Sequence, residues 1–329
     1  MATMKDIAEQ AGVSQATVSR VLNGSSSVTP ATKSHVMEWV RRLDFQPNQS
    51  ARALASKKSS LIGLILPDIQ NPYFADIIYH VEKIALFNGF NIILSNSDGD
   101  VNKEKEIIKS MKARQVEGLL IGFADSHSPS INEIRHTELP AVVITQTYED
   151  LDCVAVNHFC GGEMAAKELI KLGVQRFVYQ GNLDDEKYDG FLHALHNSGI
   201  HKDKITTLDL GNVWYHTQLR AYNNALKFVR ENPFDSKTGV FAYNDLSAFS
   251  FIHAALDLEK RIPEDYSIIG FDDTFMCQII RPTLTSIAQP KEEIGRAAIN
   301  HLLARIDKKL DIKKESYLLP PRLIKREST

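Results

Sequence analysis

Residues 4–24 read MKDIAEQAGVSQATVSRVLNG, and this stretch decides the first part of the fold. Ile7 and Ala8 recur at helical spacing, so a helix is expected from about Met4 to Ala11. Gly12 supplies a turn position that accepts positive φ. Ser14 is placed as the N-cap of a second helix, Gln15 to Leu22, with Val18 and Val21 on its buried face. A small residue, a turn and an apolar anchor at Ala8, Gly12 and Val18 fit a helix-turn-helix. The outer face of the second helix is short and polar: Gln15, Ala16, Thr17, Ser19 and Arg20. Gln can bond adenine in two places, and Arg can do the same with guanine. An exposed face of this kind suits the major groove.

The next stretch, 28–58, is VTPATKSHVMEWVRRLDFQPNQSARALASKK. Thr29 caps and Pro30 opens a third helix, whose apolar face is Val36, Val40 and Leu43. Residues 1–60 hold eight Lys or Arg against four Asp or Glu, a balance of +4. The whole chain carries −3, which leaves −7 for the remainder. A basic head on an acidic body suits a polyanion at one end only.

These two stretches together resemble, without gaps, the head of the lactose-repressor (LacI/GalR) family of bacterial transcription regulators. The resemblance implies that Gln15, Ala16 and Arg20 read bases, with Ala16 limited to apolar contact such as a thymine methyl. Thr3, Ser14, Thr17 and Asn23 would contact the DNA backbone. It further implies that Asn48 to Ser56 is a hinge helix that forms on operator DNA. There Leu54, flanked by Ala53 and Ala55, would enter the minor groove, and Asn48 and Arg52 would join the DNA contacts. The physics agrees. A nine-residue segment is shorter than the roughly 12–15 residues at which an isolated helix holds in water. An apolar wedge that unstacks a base step costs a few kcal/mol.

From Leu61 the pattern changes. LIGLILP (61–67) is apolar throughout, as in a strand buried on both faces. Helix 73–88, strand FNIILSN, helix 103–113, strand VEGLLIGF and strand PAVVIT follow. After residue 160 the alternation resumes with helix 161–171, strand RFVYQG, helix 185–198, strand ITTLDL, helix 215–231, strand TGVFAY, helix 245–258 and strand YSIIGF. Helix 290–308 and an extended ESYLLPPRLIKR close the chain. Such alternation implies parallel sheets with helices on both faces. The expected fold is a small all-α helix-turn-helix head plus an α/β core of two doubly wound parallel-sheet lobes, like the periplasmic binding proteins that the family core resembles. The expected division is 1–46 for the head, 47–59 for hinge and linker, 60–157 plus 289–318 for the first lobe, and 158–288 plus 319–329 for the second.

Two such lobes place a ligand in the cleft at the carboxyl ends of their strands. Asp68 and the aromatic pair Tyr73 and Phe74 stand there in the first lobe. The resemblance points to Asn157 at the lobe crossing, Lys187, Asn244 and Asp272 as effector contacts, and Trp214 offers a stacking face. Two departures matter. Lys187 stands where relatives carry Arg, three residues before Gly190-Phe191, and the loop GNLDDE before it is about four residues shorter than usual. Lys is a point charge and lacks the guanidinium fork.

No cofactor and no metal site are expected. The segment after the first strand is Asp68-Ile69-Gln70-Asn71-Pro72 rather than GxGxxG, and there is no P-loop, GxSxG or HExxH. Cys153, Cys160 and Cys277 show no CxxC spacing, as for small buried hydrophobes in a reducing compartment. No apolar run reaches the roughly 18 residues that span a bilayer. The N-terminus lacks the pattern of a signal peptide, so a cytoplasmic protein is expected rather than a transport module. The family resemblance implies a homodimer on a pseudo-palindromic operator, and the lack of a leucine heptad tail argues against a tetramer. The stretch RPTLTSIAQPKEEIG (281–295) resembles the Gram-positive sugar-regulator branch that includes catabolite control. The expected function is thus a repressor of carbohydrate-utilisation genes, switched by a sugar or sugar phosphate. The alternative is a catabolite-control regulator with a phosphorylated phosphocarrier protein as corepressor. Lys291-Glu292-Glu293, where that branch carries Met-Tyr-Asp, favours the first.

Overall fold

The computed structural model describes residues 2–22, 27–45, 58–125, 127–211, 217–232, 236–308 and 314–329. The chain divides into two compact units, Met1–Ser59 and Ser60–Thr329.

The first unit contains α1 (Met4–Ala11), α2 (Gln15–Leu22) and α3 (Pro30–Arg42). Thr3 and Asp6 form a reciprocal capping box on α1, which satisfies orphan amides at the helix start. Gly12 closes α1 at φ 62, a left-handed position that suits glycine. Ser14 Oγ accepts from the Thr17 amide at 3.1 Å, and Thr29 Oγ1 accepts from the Thr32 amide at 3.3 Å. Ile7, Ala8, Ala11, Val18, Val21 and Val36 make the core, with Val40 and Leu43 packed against it.

The second unit starts with β1 (Leu61–Leu66), α4 (Pro72–Phe87), β2 (Asn91–Asn96), α5 (Val101–Ala113), β3 (Gly118–Ile121), α6 (Ser130–Arg135), β4 (Ala141–Thr145) and β5 (Asp152–Val156). Then come α7 (His158–Lys171), β6 (Arg176–Gly181), α8 (Glu186–Asn197), β7 (Ile205–Asp209), α9 (Thr217–Glu231), β8 (Thr238–Ala242), α10 (Asp245–Asp257), β9 (Tyr266–Asp272) and β10 (Thr285–Ala288). The chain ends with α11 (Lys291–Ile306), β11 (Ser316–Leu319) and β12 (Arg322–Ile324).

Two six-stranded sheets result. Their orders are β11-β5-β4-β3-β1-β2 and β12-β10-β9-β8-β6-β7. The first is parallel throughout; in the second, β12 runs antiparallel to β10. The chain passes from one lobe to the other at 157, at 289–290 and at Pro320-Pro321. ESYLLPPRLIKR is therefore two strands, one in each sheet, split where the prolines remove two backbone donors. The alternation of strand and helix also concealed β5 and β10. β4 and β5 are parallel neighbours joined by only residues 146–151, with Thr145 at φ 75 and Asp150 at φ 59. That tight return contains no helix, so the usual sequence cue for a crossover is missing.

α11 belongs with the first lobe. Ile294, Ala298, Ile299 and Leu302 pack among Ile77, Val81 and Ala85 of α4 and the strand residues Ile62, Leu64 and Val142. In the second lobe, α7 and α8 touch backbone to backbone. A Cβ on Gly162 would overlap the Lys187 carbonyl, and one on Gly190 would overlap that of Phe159. The two glycines thus bring the first turn of α8 against the first turn of α7.

Candidate functional site

α2 presents Gln15, Ala16 and Arg20 exposed, opposite the buried Val18 and Val21. This division follows from the 3.6-residue period. Thr3, Ser14 and Thr17 are engaged in the helix starts: Thr3 with Asp6, and Ser14 with Thr17 through a 2.9 Å hydroxyl pair. Asn23 and the hinge residues Asn48, Arg52, Leu54 and Ala55 lie outside the described residues, as does Trp214.

In the second unit a cavity of about 260 Å³ opens between the lobes, at the carboxyl ends of the strands. Of the expected effector contacts, Tyr73, Phe74, Lys187, Asn244 and Asp272 line it. Two expectations are revised. Asn157 caps α7, accepting from the Cys160 amide at 2.8 Å, and does not line the cavity. Asp68 faces a smaller neighbouring hollow of about 10 Å³ beside Asn71 and Asn244.

The cavity is tied together at the second crossing. The Tyr73 hydroxyl donates to Gln289 Oε1 at 3.0 Å, and Gln289 Nε2 donates to Asp272 Oδ1 at 2.7 Å. All three side chains are buried. The chain therefore runs from α4 of one lobe to β9 of the other. Lys291 repeats the bridge. Its ammonium donates to the carbonyls of Asp272 (3.0 Å) and Asp273 (2.6 Å) and lies 3.5 Å from Asp76 of α4. Asp272 and Asp273 hold φ values of 111 and 51. Such backbone costs roughly 1–3 kcal/mol per residue and collects at functional sites.

Charge gathers on the second-lobe wall. Lys187 Nζ sits 3.4 Å from Asp185, donates to the Tyr243 carbonyl at 3.2 Å, and lies 4.5 Å from the Phe271 ring centre. Burial works to raise the Asp185 pKa, but the charges of Lys187 and His158 outweigh it and hold the carboxyl below its usual value. Burial and then the neighbouring Asp185 and Asp189 push Glu186 up. His158, half-buried at the start of α7, is held down to about 4 by burial and then by the Lys187 charge. It is therefore neutral at pH 7. Asp272 is pushed up by burial and by Asp245 behind it. Asp245 is itself buried and held by Ser286 Oγ (2.6 Å), the Thr274 amide (2.7 Å) and Cys277 Sγ (3.1 Å). Asp245 is thus a structural carboxylate under the site rather than a wall residue.

The first-lobe wall has a different character. Tyr73, Phe74, Ala124, Ala155 and Val156 line it, with Gln146, Thr147 and Tyr148 from the tight β4–β5 return. Sequence reasoning missed the last three because they sit on a loop between β4 and the unrecognised β5. It also missed His158 and Gln289, whose places at lobe crossings were the available signal. The wall residue Ala124, and Ser128 beyond it, are fixed by Glu104. This fully buried carboxylate accepts from the Ala124 amide at 2.7 Å and from Ser128 Oγ at 2.5 Å. Among the described residues, no group of three or more His, Cys, Asp or Glu is placed to hold a metal ion. No described helix is long and apolar enough to cross a membrane.

Comparison with known proteins agrees with both units. Residues 3–48 match the family model described as bacterial regulatory proteins, lacI family, and residues 166–329 match the periplasmic binding protein-like domain. The chain is 33% identical over 335 residues to catabolite control protein A of Priestia megaterium, with 99% of each chain covered. It is 32% identical to the HTH-type transcriptional regulator RegA of Clostridium saccharobutylicum, with each chain covered completely. Among solved structures it is similar to the lac repressor dimer bound to operator and the anti-inducer ONPF. There the TM-score is 0.87 and the identity 25%, covering 99% of this chain and 98% of that one. A LacI family regulator from Enterococcus faecium with bound ribose gives a TM-score of 0.71 at 30% identity, covering 82% of this chain and 98% of that one. A helix-turn-helix head with an exposed polar second helix, a two-lobed α/β core and end-to-end similarity to regulators of one kind together mean that this chain belongs to the LacI family of DNA-binding bacterial transcriptional regulators.

Proposed function

We propose that the chain is a cytoplasmic, homodimeric repressor of carbohydrate-utilisation genes whose hold on a pseudo-palindromic operator is set by a small hydroxylated effector in the interlobe cavity. The observation that carries this reading is the Tyr73–Gln289–Asp272 chain of hydrogen bonds. It joins the two lobes through the floor of the cavity, so a ligand there bears on their closure. A coupling of about 1–3 kcal/mol between the sites changes operator affinity about 5–150-fold. The ribose-bound relative supports a sugar as the ligand class.

In this reading Gln15, Ala16 and Arg20 choose the sequence. Thr3, Ser14, Thr17 and Asn23 set the position on the backbone. Leu54, with Asn48, Arg52 and Ala55, forms the part that responds to the core. Tyr73, Phe74, Lys187, Asn244 and Asp272 contact the effector, and Trp214 offers it a stacking face. The test begins with selection of operator DNA by the full chain, followed by anisotropy titration. Arg20→Ala is expected to cost about 1–3 kcal/mol and to relax preference at one base position. Leu54→Gly is expected to weaken operator binding and reduce bending; unchanged affinity and bending would remove the hinge from the mechanism.

A second reading has its own support, because the end-to-end relatives include several catabolite control proteins. It makes a serine-phosphorylated phosphocarrier protein the corepressor. Against it, Lys291 is drawn inward onto Asp76 and the Asp272–Asp273 carbonyls rather than offered to a partner. Pull-down with the phosphorylated carrier separates the two, and tight specific binding would establish the second.

A further inference from the structure

The cavity wall holds five carboxylates, Asp125, Asp184, Asp185, Glu186 and Asp272, against one ammonium, Lys187. Among the described residues no arginine lines it, although the guanidinium of the exposed Arg220 approaches the wall residue Gly211. A phosphate needs cations or open backbone amides.

Lys187 already has its partners: Asp185 at 3.4 Å, the Tyr243 carbonyl at 3.2 Å and the face of Phe271. Lys291, close behind the floor, is turned to two carbonyls and Asp76. His158 is uncharged at neutral pH. Helix starts are the remaining source of positive potential. Four of them meet the cavity, and each is capped by its own side chain. Asn71 takes the Tyr73 amide, Asn157 takes the Cys160 amide, Asp185 takes the Lys187 amide, and Asn244 takes the Ser247 amide. At α8 the cap is itself a carboxylate, with Glu186 beside it. After the Asp185–Lys187 pair is set aside, Asp184 and Glu186 remain without a cation of their own on the wall; Asp125 has His127 3.6 Å away, and Asp272, pushed up to about 7, is only partly ionised at neutral pH.

We propose that this cleft takes an unphosphorylated hydroxylated ligand, neutral or bearing an amine, and discriminates against the phosphorylated counterpart of the same compound. This rests on the cleft being the effector site and narrows the sugar-or-sugar-phosphate expectation to its first half. Hydroxyls suit the wall, because carboxylates and the side-chain carbonyl oxygens of Asn and Gln accept from them. A dianion would face carboxylates in a site shielded from bulk water, where like-charge repulsion is strong.

The test is calorimetric titration of the full chain with matched sets: glucose, glucosamine and glucose 6-phosphate, then ribose and ribose 5-phosphate, fructose and fructose 6-phosphate. In each set that binds, the phosphorylated member is expected to be at least about tenfold weaker than its parent. The double variant Asp184→Asn/Glu186→Gln is expected to narrow that gap. A phosphorylated member that binds as tightly as its parent, or more tightly, overturns the proposal while leaving the cleft as the effector site. No binding by any member overturns the effector reading of the cleft, and the charge proposal falls with it.

Discussion

The two lobes repeat one sheet order, with the first two strands in sequence, β1-β2 and β6-β7, at one edge and a late-returning strand at the other. Yet they give the shared cavity opposite walls. The first contributes aromatic, aliphatic and uncharged polar side chains (Asn71, Thr145, Gln146 and Thr147 among them) with one carboxylate, Asp125. The second contributes Asp184, Asp185, Glu186, Lys187 and Asp272. The difference arises at the helix starts. In the first lobe α4 begins Asn71-Pro72-Tyr73-Phe74, and both rings turn into the lobe core. In the second, α8 begins Asp185-Glu186-Lys187, and Gly162 and Gly190 draw that charged turn onto α7 and the cavity. A common topology thus places helix starts at a common site, and the residues at those starts decide what the site can hold.

The largest effect is expected where a wall residue is also core. Phe74 is 3% exposed and packs in the first-lobe core. Phe74→Ala should cost about 3–5 kcal/mol in urea unfolding. A loss below about 1 kcal/mol would show that the aromatic wall is a binding feature set on the core rather than part of it.

The second prediction is a pH effect on the charged wall. His158 has a depressed pKa of about 4, from burial and then Lys187. Its stabilising contribution is complete above the unfolded value of about 6.5 and is lost as pH falls toward 4, because the unfolded chain then binds the proton first. Wild type should lose up to about 3 kcal/mol more than His158→Gln between pH 7.5 and pH 4, read as the difference between their unfolding curves. Parallel curves would mean that the imidazole is solvated.

Asp272 has the opposite sign. Its raised pKa, from burial and Asp245, makes the folded state costlier as pH rises from the unfolded value of about 3.9 through the folded one. Asp272→Asn keeps an acceptor for Gln289 and removes the charge. The variant should melt a few degrees higher than wild type at pH 8, with the advantage gone at pH 4. The smallest effect is Tyr73→Phe, which leaves the ring and deletes the donor to Gln289. About 1 kcal/mol of stability is expected to go, together with a change in how strongly ligand alters operator affinity. If that coupling is untouched, the lobes are joined through Lys291 instead.

Much of this was legible in the chain. Local rules place the head: Thr3, Ser14 and Thr29 are caps, Gly12 is a turn, and Val18, Val21 and Val36 recur at helical spacing. The exposed triad Gln15, Ala16 and Arg20 follows from the same period. Continuous apolar runs mark most strands of both sheets. Boundaries shifted by a residue or two at α4, α8 and α11; the Asn71 and Asp185 side chains cap the first two, and α11 starts after Pro290 with no side-chain cap. Of the site, Tyr73 and Phe74 were reachable because they stand just beyond a strand end, and Lys187, Asn244 and Asp272 through the family resemblance.

What sequence could not give was pairing across long separations. Gln289 meets Tyr73 at a separation of 216 residues, and no local period encodes that. Lys187 looked in the sequence like a weakened stand-in for an arginine that clamps hydroxyls, yet its partner is Asp185, two residues earlier, with an aromatic floor from Phe271. The sequence by itself determined the helix-turn-helix, the parallel sheets and the residue types at the cleft, because propensity, capping and periodicity act over a few residues. Only the tertiary structure decided which of those residues share a wall, which charges are already neutralised and which groups tie the lobes together. Those depend on side chains from distant strands meeting out of water, where an uncompensated charge is costly enough to fix its neighbours.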